Sequence, residues 1–220
     1  MIKAERLRVV FGHTVALDSV SFDIEPGVTG LFGPNGSGKS TFLRAAAGLL
    51  RPIAGNITID GVLAGTRSET ARRRVGYAGH EPGLYPHLTV SENLKLFAHL
   101  HGVRASRVDE MLTAVGLSGR AGTSVADLSA GLQRRAAVAR ALLHEPDVLL
   151  LDEPYANLDD AASEMISEAV VSWRGPRRYA VIATHGAKRV KAFADAGVIL
   201  RDGRVAVAGS YRNRARVEAT

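Results

Sequence analysis

The sequence predicts an α/β domain whose core is a parallel sheet, preceded by antiparallel strands. Three observations carry this. Short apolar runs alternate with helix-like segments through the second half of the 220-residue chain, the pattern of parallel strands joined by helical crossovers. Before residue 25, apolar and polar residues alternate with the period of two expected of half-buried strands. A short buried-type strand at 28–32 runs through a glycine-rich turn into a helix-forming segment.

The elements follow in order. Leu7-Arg8-Val9-Val10-Phe11 and the run from Ala16 to Ile24 flank Gly12-His13, which reads as two antiparallel strands and a turn. Val28-Thr29-Gly30-Leu31-Phe32 is a buried strand, Thr41–Ala47 a helix, and Gly55–Gly61 a strand between turn signals. From Leu88 to about Gly116 the spacing turns helical. Val90, Leu94, Phe97 and Leu100 are expected on one apolar face, and Met111, Leu112 and Val115 on that of a second helix. A helix from Ser129 to about His144 leads to Val148–Leu151, a continuous apolar run suited to a strand covered on both faces. Helix 160–173, strand 179–184, helix 186–194 and two short strands within 197–209 complete the chain.

Composition excludes several functions. With no cysteine there is no disulfide, thiolate metal site or cysteine nucleophile. No apolar run has the length to cross a bilayer, and Lys3, Glu5, Arg6 and Arg8 interrupt any leader-like core, so a cytosolic protein is expected. The net charge is +6, with arginine clusters at Arg72-Arg73-Arg74, Arg134-Arg135, Arg177-Arg178 and Arg212, Arg214, Arg216. These read as solvated faces. No aromatics are interleaved as a single-strand platform would need, so no nucleic acid partner is expected.

The chemistry begins at Gly33-Pro34-Asn35-Gly36-Ser37-Gly38-Lys39-Ser40, which fits G-x-x-x-x-G-K-[ST] without a mismatch. Glycine-rich backbone leaves N–H groups free to point at an anion, helped by the positive end of the helix that opens at Thr41. In such a loop Lys39 reaches the β- and γ-phosphates and the Ser40 hydroxyl holds Mg²⁺. Val148-Leu149-Leu150-Leu151-Asp152-Glu153 ends a buried strand with two acids. Ligands of open α/β sheets sit beyond such strand ends, where the glycine loop also emerges. Asp152 suits the metal, and Glu153 suits polarising an attacking water. His185 ends a further buried-type strand and suits a hydrogen bond to the γ-phosphate. In Leu128-Ser129-Ala130-Gly131-Leu132-Gln133-Arg134-Arg135, Ser129 suits a helix cap and small residues expose the helix end, a second anion-binding candidate.

These motifs, in this order and over residues 2 to 209, resemble ATP-binding cassette (ABC) ATPases, the nucleotide-binding subunits of ABC transporters. The resemblance implies a P-loop NTPase with a RecA-like parallel-sheet core, an antiparallel β lobe (1–30 and 53–76) and a helical lobe (80–135). It implies MgATP hydrolysis in a head-to-tail pair of cassettes, identical or not, on an integral membrane permease subunit at the cytoplasmic face. Ser129, Ala130 and Gly131 would then contact the partner's γ-phosphate, Thr41 would close the phosphate loop, and Asp159 lies in the loop Asn157-Leu158-Asp159 that communicates across the pair. Phe11 matches the aromatic that stacks on adenine, though a strand-core role suits it equally.

The chain departs from the family at His80, where glutamine senses the metal and the attacking water, at Ala130 and Leu132 in the signature, and at Tyr155 after Asp-Glu-Pro. Gly79-His80, Ser129-Ala130-Gly131 with Gln133-Arg134-Arg135, and Tyr155 are similar to the haem exporter ATPase of cytochrome c maturation. Alternatives are an ATPase for another exported substrate, a soluble ABC ATPase of DNA repair or translation, and a regulatory module with impaired hydrolysis.

Overall fold

The computed structural model describes residues 1–65 and 73–211. Arg72, the tail arginines Arg212, Arg214 and Arg216, and part of the 53–76 segment lie outside the described residues. Two sheets share the chain. β1 (Ile2–Phe11) and β2 (Thr14–Ile24) form the expected hairpin, and β1 also pairs antiparallel with β4 (Ala54–Ile59), which pairs in turn with β5 (Val62–Leu63). The second sheet has the order β10-β9-β3-β8-β7-β6, built from β3 (Gly27–Phe32), β6 (Val75–Ala78), β7 (Val148–Asp152), β8 (Tyr179–Thr184), β9 (Ala196–Arg201) and β10 (Arg204–Ser210). All its pairings are parallel except that of β9 with β10.

Two sequence boundaries need correction. Residues 27–30 and 75–76, assigned to the antiparallel lobe, belong to strands of the parallel-rich sheet. β6 went unread because its four residues, Val75-Gly76-Tyr77-Ala78, include a glycine and show no run of apolar residues. Its Gly76 is buried, and a Cβ there would fall 2.1 Å from the Ala141 carbonyl oxygen, so close helix–strand packing requires glycine.

The parallel-rich sheet separates two apolar cores, and the alternation of strand side chains assigns each residue to one of them. Leu149, Leu151, Ala180 and Ile182 face the helices, whereas Val148, Leu150, Tyr179 and Val181 face the antiparallel sheet and α1 (Lys39–Ala46). β7 and β8 are buried along their whole length, which explains why they read as unbroken apolar runs. Phe42 of α1 meets Phe22 of β2 with ring centroids 4.8 Å apart, locking the helix after the glycine loop against the antiparallel sheet.

The helices on the other face are α2 (Val90–His101), α3 (Ser106–Ala114), α4 (Ala130–Leu142), α5 (Asp160–Trp173) and the short α6 (Ala187–Lys191). Helix 186–194 of the sequence reading is thus shorter than expected. α2 opens on a capping box in which Thr89 and Glu92 exchange side-chain and backbone hydrogen bonds, and it closes on Gly102 in the left-handed conformation. Leu100, expected on its apolar face, is 58% exposed; the buried face is Val90, Asn93, Leu94 and Ala98, with Phe97 packed beside it. Asn93 turns inward because its amide binds the loop before the helix. Its Oδ1 accepts from Tyr85 N, and its Nδ2 donates to the carbonyls of Tyr85, Leu88 and Thr89.

Between α2 and the end of α4, the rings of His101 and His144 stack 4.0 Å apart. Burial, then the charge of His101, lowers the His144 pKa to about 4 from an ordinary 6.5. The folded protein therefore binds fewer protons there than the unfolded chain, so stability falls as pH drops from about 6.5 toward 4. Urea unfolding of His144→Gln should lose part of that decline relative to wild type; an unaltered pH slope would contradict the assignment. Leu149→Ala should cost about 2–5 kcal/mol in the same measurement, and Leu100→Ala less than about 0.5 kcal/mol.

Candidate functional site

β3, β8 and β7 end side by side, with Phe32 opposite Thr184 and Asp152 opposite Ala183. The segments that follow these strands therefore meet at one edge of the sheet. After β3 the chain turns through Gly33 at φ +149° and Gly38 at φ +102°. A Cβ on Gly33 would fall 2.2 Å from the Leu200 carbonyl oxygen, and one on Gly38 would fall 2.7 Å from that of Ala16. β9 and β2 thus hold the loop from both sides. Lys39 is only 6% exposed, and its ammonium donates to the Gly33 and Pro34 carbonyls at 2.8 and 2.9 Å. Ser37 is buried, Thr41 half-buried, and Pro34, Asn35, Gly36 and Ser40 are exposed. No side chain caps α1 at Gly38, which leaves its first N–H groups to an anion.

Asp152 is 2% exposed, and its Oδ1 has no hydrogen-bond partner. Burial raises its pKa, a hydrogen bond with Ser40 opposes the rise, and the neighbouring Glu153 charge adds to it. His80 and Arg134 lie near enough to pull it back down. Ser40 and Asp152 are therefore in contact, with the exposed His80 near enough to act on the carboxylate. A buried carboxylate oxygen without a partner suits a hard cation. Among the described residues no cluster of three or more His, Cys, Asp or Glu could hold a metal alone. An ion here would draw its remaining ligands from phosphates and water, the habit of Mg²⁺.

Glu153 follows at φ +49°, a left-handed conformation that costs a non-glycine residue roughly 1–2 kcal/mol. That turn brings its carboxylate back over the end of β8. Oε2 accepts from the Thr184 hydroxyl at 3.0 Å, and Oε1 accepts from His185 N at 2.8 Å and meets His185 Nδ1 at 2.9 Å. Glu153 and His185 are thus joined, with the imidazole largely exposed.

The other expected residues are placed as follows. Ser129 is exposed and caps α4, its Oγ accepting from Leu132 N at 3.4 Å, and Ala130 is exposed beside it. Gly131 is buried: a Cβ would fall 2.7 Å from the Asn157 carbonyl oxygen, so α4 packs directly on the loop holding Asp159. Asp159 caps α5 through Oδ1, which accepts from Ala162 N at 2.7 Å. Among the described residues no hydrogen bond joins 129–131 to the loop at 33–41. Phe11 is 46% exposed at the end of β1, which removes its strand-core alternative.

Sequence reasoning missed the arginines around this edge. Arg134 is 7% exposed, and its guanidinium donates to the carbonyls of Gly79, His80 and Asp152. Arg135 donates to those of Val115 and Gly116. The expectation of a solvated Arg134-Arg135 face is therefore corrected: Arg134 is buried, Arg135 is half-buried, and both side chains fold back onto main-chain carbonyls. The available signal was the apolar Ala137 and Val138 three and four residues on, which put Arg134 on an inward face of α4. The turn between β9 and β10 was missed too. Gly203 N donates to Ser37 O, and its own carbonyl accepts from Asp18 N.

Fold and edge geometry are those of a phosphate-loop ATPase. A profile of the ABC transporter family matches residues 17–156, and the chain belongs to that family. Its sequence is 32% identical to a linearmycin resistance ATP-binding protein of Bacillus subtilis (strain 168) over 96% of this chain and 69% of that one. It is 36% identical to a Nod factor export ATP-binding protein I of Cupriavidus metallidurans over 84% of this chain and 63% of that one. Among solved structures, the dimeric ATP-binding cassette MJ0796 in a post-hydrolysis state with ADP and Pi superposes with a TM-score of 0.86 at 28% identity. That match covers 96% of this chain and 98% of the cassette. The chain is an ABC ATPase, an ATP-binding subunit.

Asp152→Asn separates function from stability at this edge. A carboxylate whose pKa is raised by folding weakens the fold as pH rises through that pKa. Without metal at pH 7, the variant should melt higher than wild type by a few degrees, while losing the thermal shift that MgATP gives wild type. Equal melting temperatures without metal, or a retained MgATP shift, would contradict this reading.

Proposed function

We propose that this chain binds MgATP between two cassettes and hydrolyses it to drive export through a separate membrane subunit. The observation that carries the reading is the convergence of Lys39, Ser40, Asp152, Glu153 and His185 on one sheet edge. Lys39 and the backbone of 33–41 hold the β- and γ-phosphates, and Phe11, exposed at the end of β1, would stack on the adenine. Ser40, Asp152 and His80 would hold Mg²⁺, which when bound neutralises phosphate charge.

Glu153 is held by Thr184 and His185. A γ-phosphate competing for the His185 ring removes one of the two hydrogen bonds on Glu153 Oε1, leaving that oxygen with the His185 N–H and capacity to orient a water and take its proton. Ser129, Ala130 and Gly131, with no bond to the loop of their own chain, are offered to the phosphates of a second cassette. Asp159, at the loop packed under Gly131, would relay that closure.

No described helix is long and apolar enough to cross a membrane. The proposed transport would run through a permease subunit, as membership of the ABC transporter family supports, with this subunit held at the cytoplasmic face. Export is favoured by the relatives, whose names concern linearmycin resistance and Nod factor export. Neither concerns haem, so the features shared with haem exporters are not read as fixing the cargo.

Glu153→Gln should keep MgATP binding, accumulate a nucleotide-bound dimer and lower turnover by roughly 10²–10⁴-fold. Phosphate release combined with light scattering checks this. Near-wild-type turnover would remove Glu153 from the role of base.

A further inference from the structure

We propose that Arg134 is a positioning residue that pins helix α4 to the His80 loop and to the end of β7, so that movement of the signature end of α4 is felt at the hydrolytic edge. This rests on the ATPase reading of that edge. One guanidinium spans two segments far apart in sequence: Nη1 donates to Gly79 O at 2.6 Å and Asp152 O at 3.3 Å, and Nη2 donates to His80 O at 3.1 Å. Ser129 and Gly131, the residues offered to a second cassette, lie five and three positions earlier on the same helix or its cap. Three contacts of the proposed site therefore meet on one side chain: the metal-side loop, the acidic strand end and the signature.

Two features set Arg134 apart from an ordinary helix-anchoring arginine. It is buried, yet among the described residues its hydrogen-bond acceptors are neutral carbonyls and it forms no ion pair at contact distance. Removing a charge from water without a paired counter-ion is costly, so the position is poor value as a stabiliser alone. The charges it senses are those of Asp152 and Glu153, which offset the burial that lowers its pKa. The cation thus sits behind the two catalytic-edge acids, while its planar fork reaches carbonyls that a lysine could not hold together.

The test compares Arg134→Gln, Arg134→Met and Arg134→Lys in the full chain with wild type and Glu153→Gln. Steady-state ATP hydrolysis is measured alongside hydrogen exchange of residues 79–84 and of β8. The expected result is a 10- to 100-fold loss of kcat in the Gln and Met variants, the scale of misplacement near a reacting group. KM for MgATP should stay within about twofold, with faster exchange at 79–84 and unchanged protection of β8. Arg134→Lys should recover part of kcat by restoring charge and one or two of the bonds. A kcat within about twofold of wild type in both Gln and Met variants would overturn the proposal, as would losses accompanied by deprotection of β8. An active Glu153→Gln would fault the reading of the site instead, and the exchange at 79–84 would still decide the Arg134 link.

Discussion

The parallel register of β3, β8 and β7 is the constraint on which the rest of this molecule depends. Because Phe32 pairs with Thr184, and Asp152 with Ala183, the residues leaving three strands are delivered to one edge. The sheet is held in that register by burial on both faces, with alternate side chains feeding two separate cores. A slip of one residue in β7 would exchange those cores and withdraw the acids from the glycine loop. The antiparallel sheet contributes indirectly. It presses α1 into place through Phe22 and Phe42, and β2 supplies the carbonyl of Ala16 against which only a glycine fits at 38.

The same edge is arranged against the stability of the free protein. Asp152 is buried with an unpartnered oxygen, Arg134 is buried with neutral acceptors only, and Glu153 occupies a left-handed conformation. Each costs free energy that the two cores must offset. A cation beside Asp152 would offset the first, because it would compensate the buried carboxylate charge. Such a site gains stability when loaded, which links nucleotide occupancy to rigidity.

Much of this was legible in the sequence, for physical reasons. Strands buried on both faces and a glycine loop with a fixed role leave unambiguous patterns, so β7, β8 and residues 33–40 were readable as they stand. Phe11 was not settled, because an aromatic at a strand end is compatible with core or surface. β6 was missed because its identity as a strand comes from pairing with β7, some 73 residues later. Leu100 was misplaced because Asn93, bound to the preceding loop, takes an inward position that a hydropathy pattern gives to an apolar residue. Arg134 was misread for a related reason: its acceptors are carbonyls 54 and 55 residues away, and composition carries no trace of them.

A single chain presents the phosphate loop and the capped end of α4 without joining them, and in the proposed pair they meet across two copies. The absence of cysteine makes this directly measurable. A chain carrying both Asn35→Cys and Ser129→Cys, exposed to a mild oxidant, should form a disulfide between copies only when MgATP is present, most strongly with Glu153→Gln added. Cross-linking that ignores nucleotide, or none at all while MgATP is bound, would contradict the clasped pair.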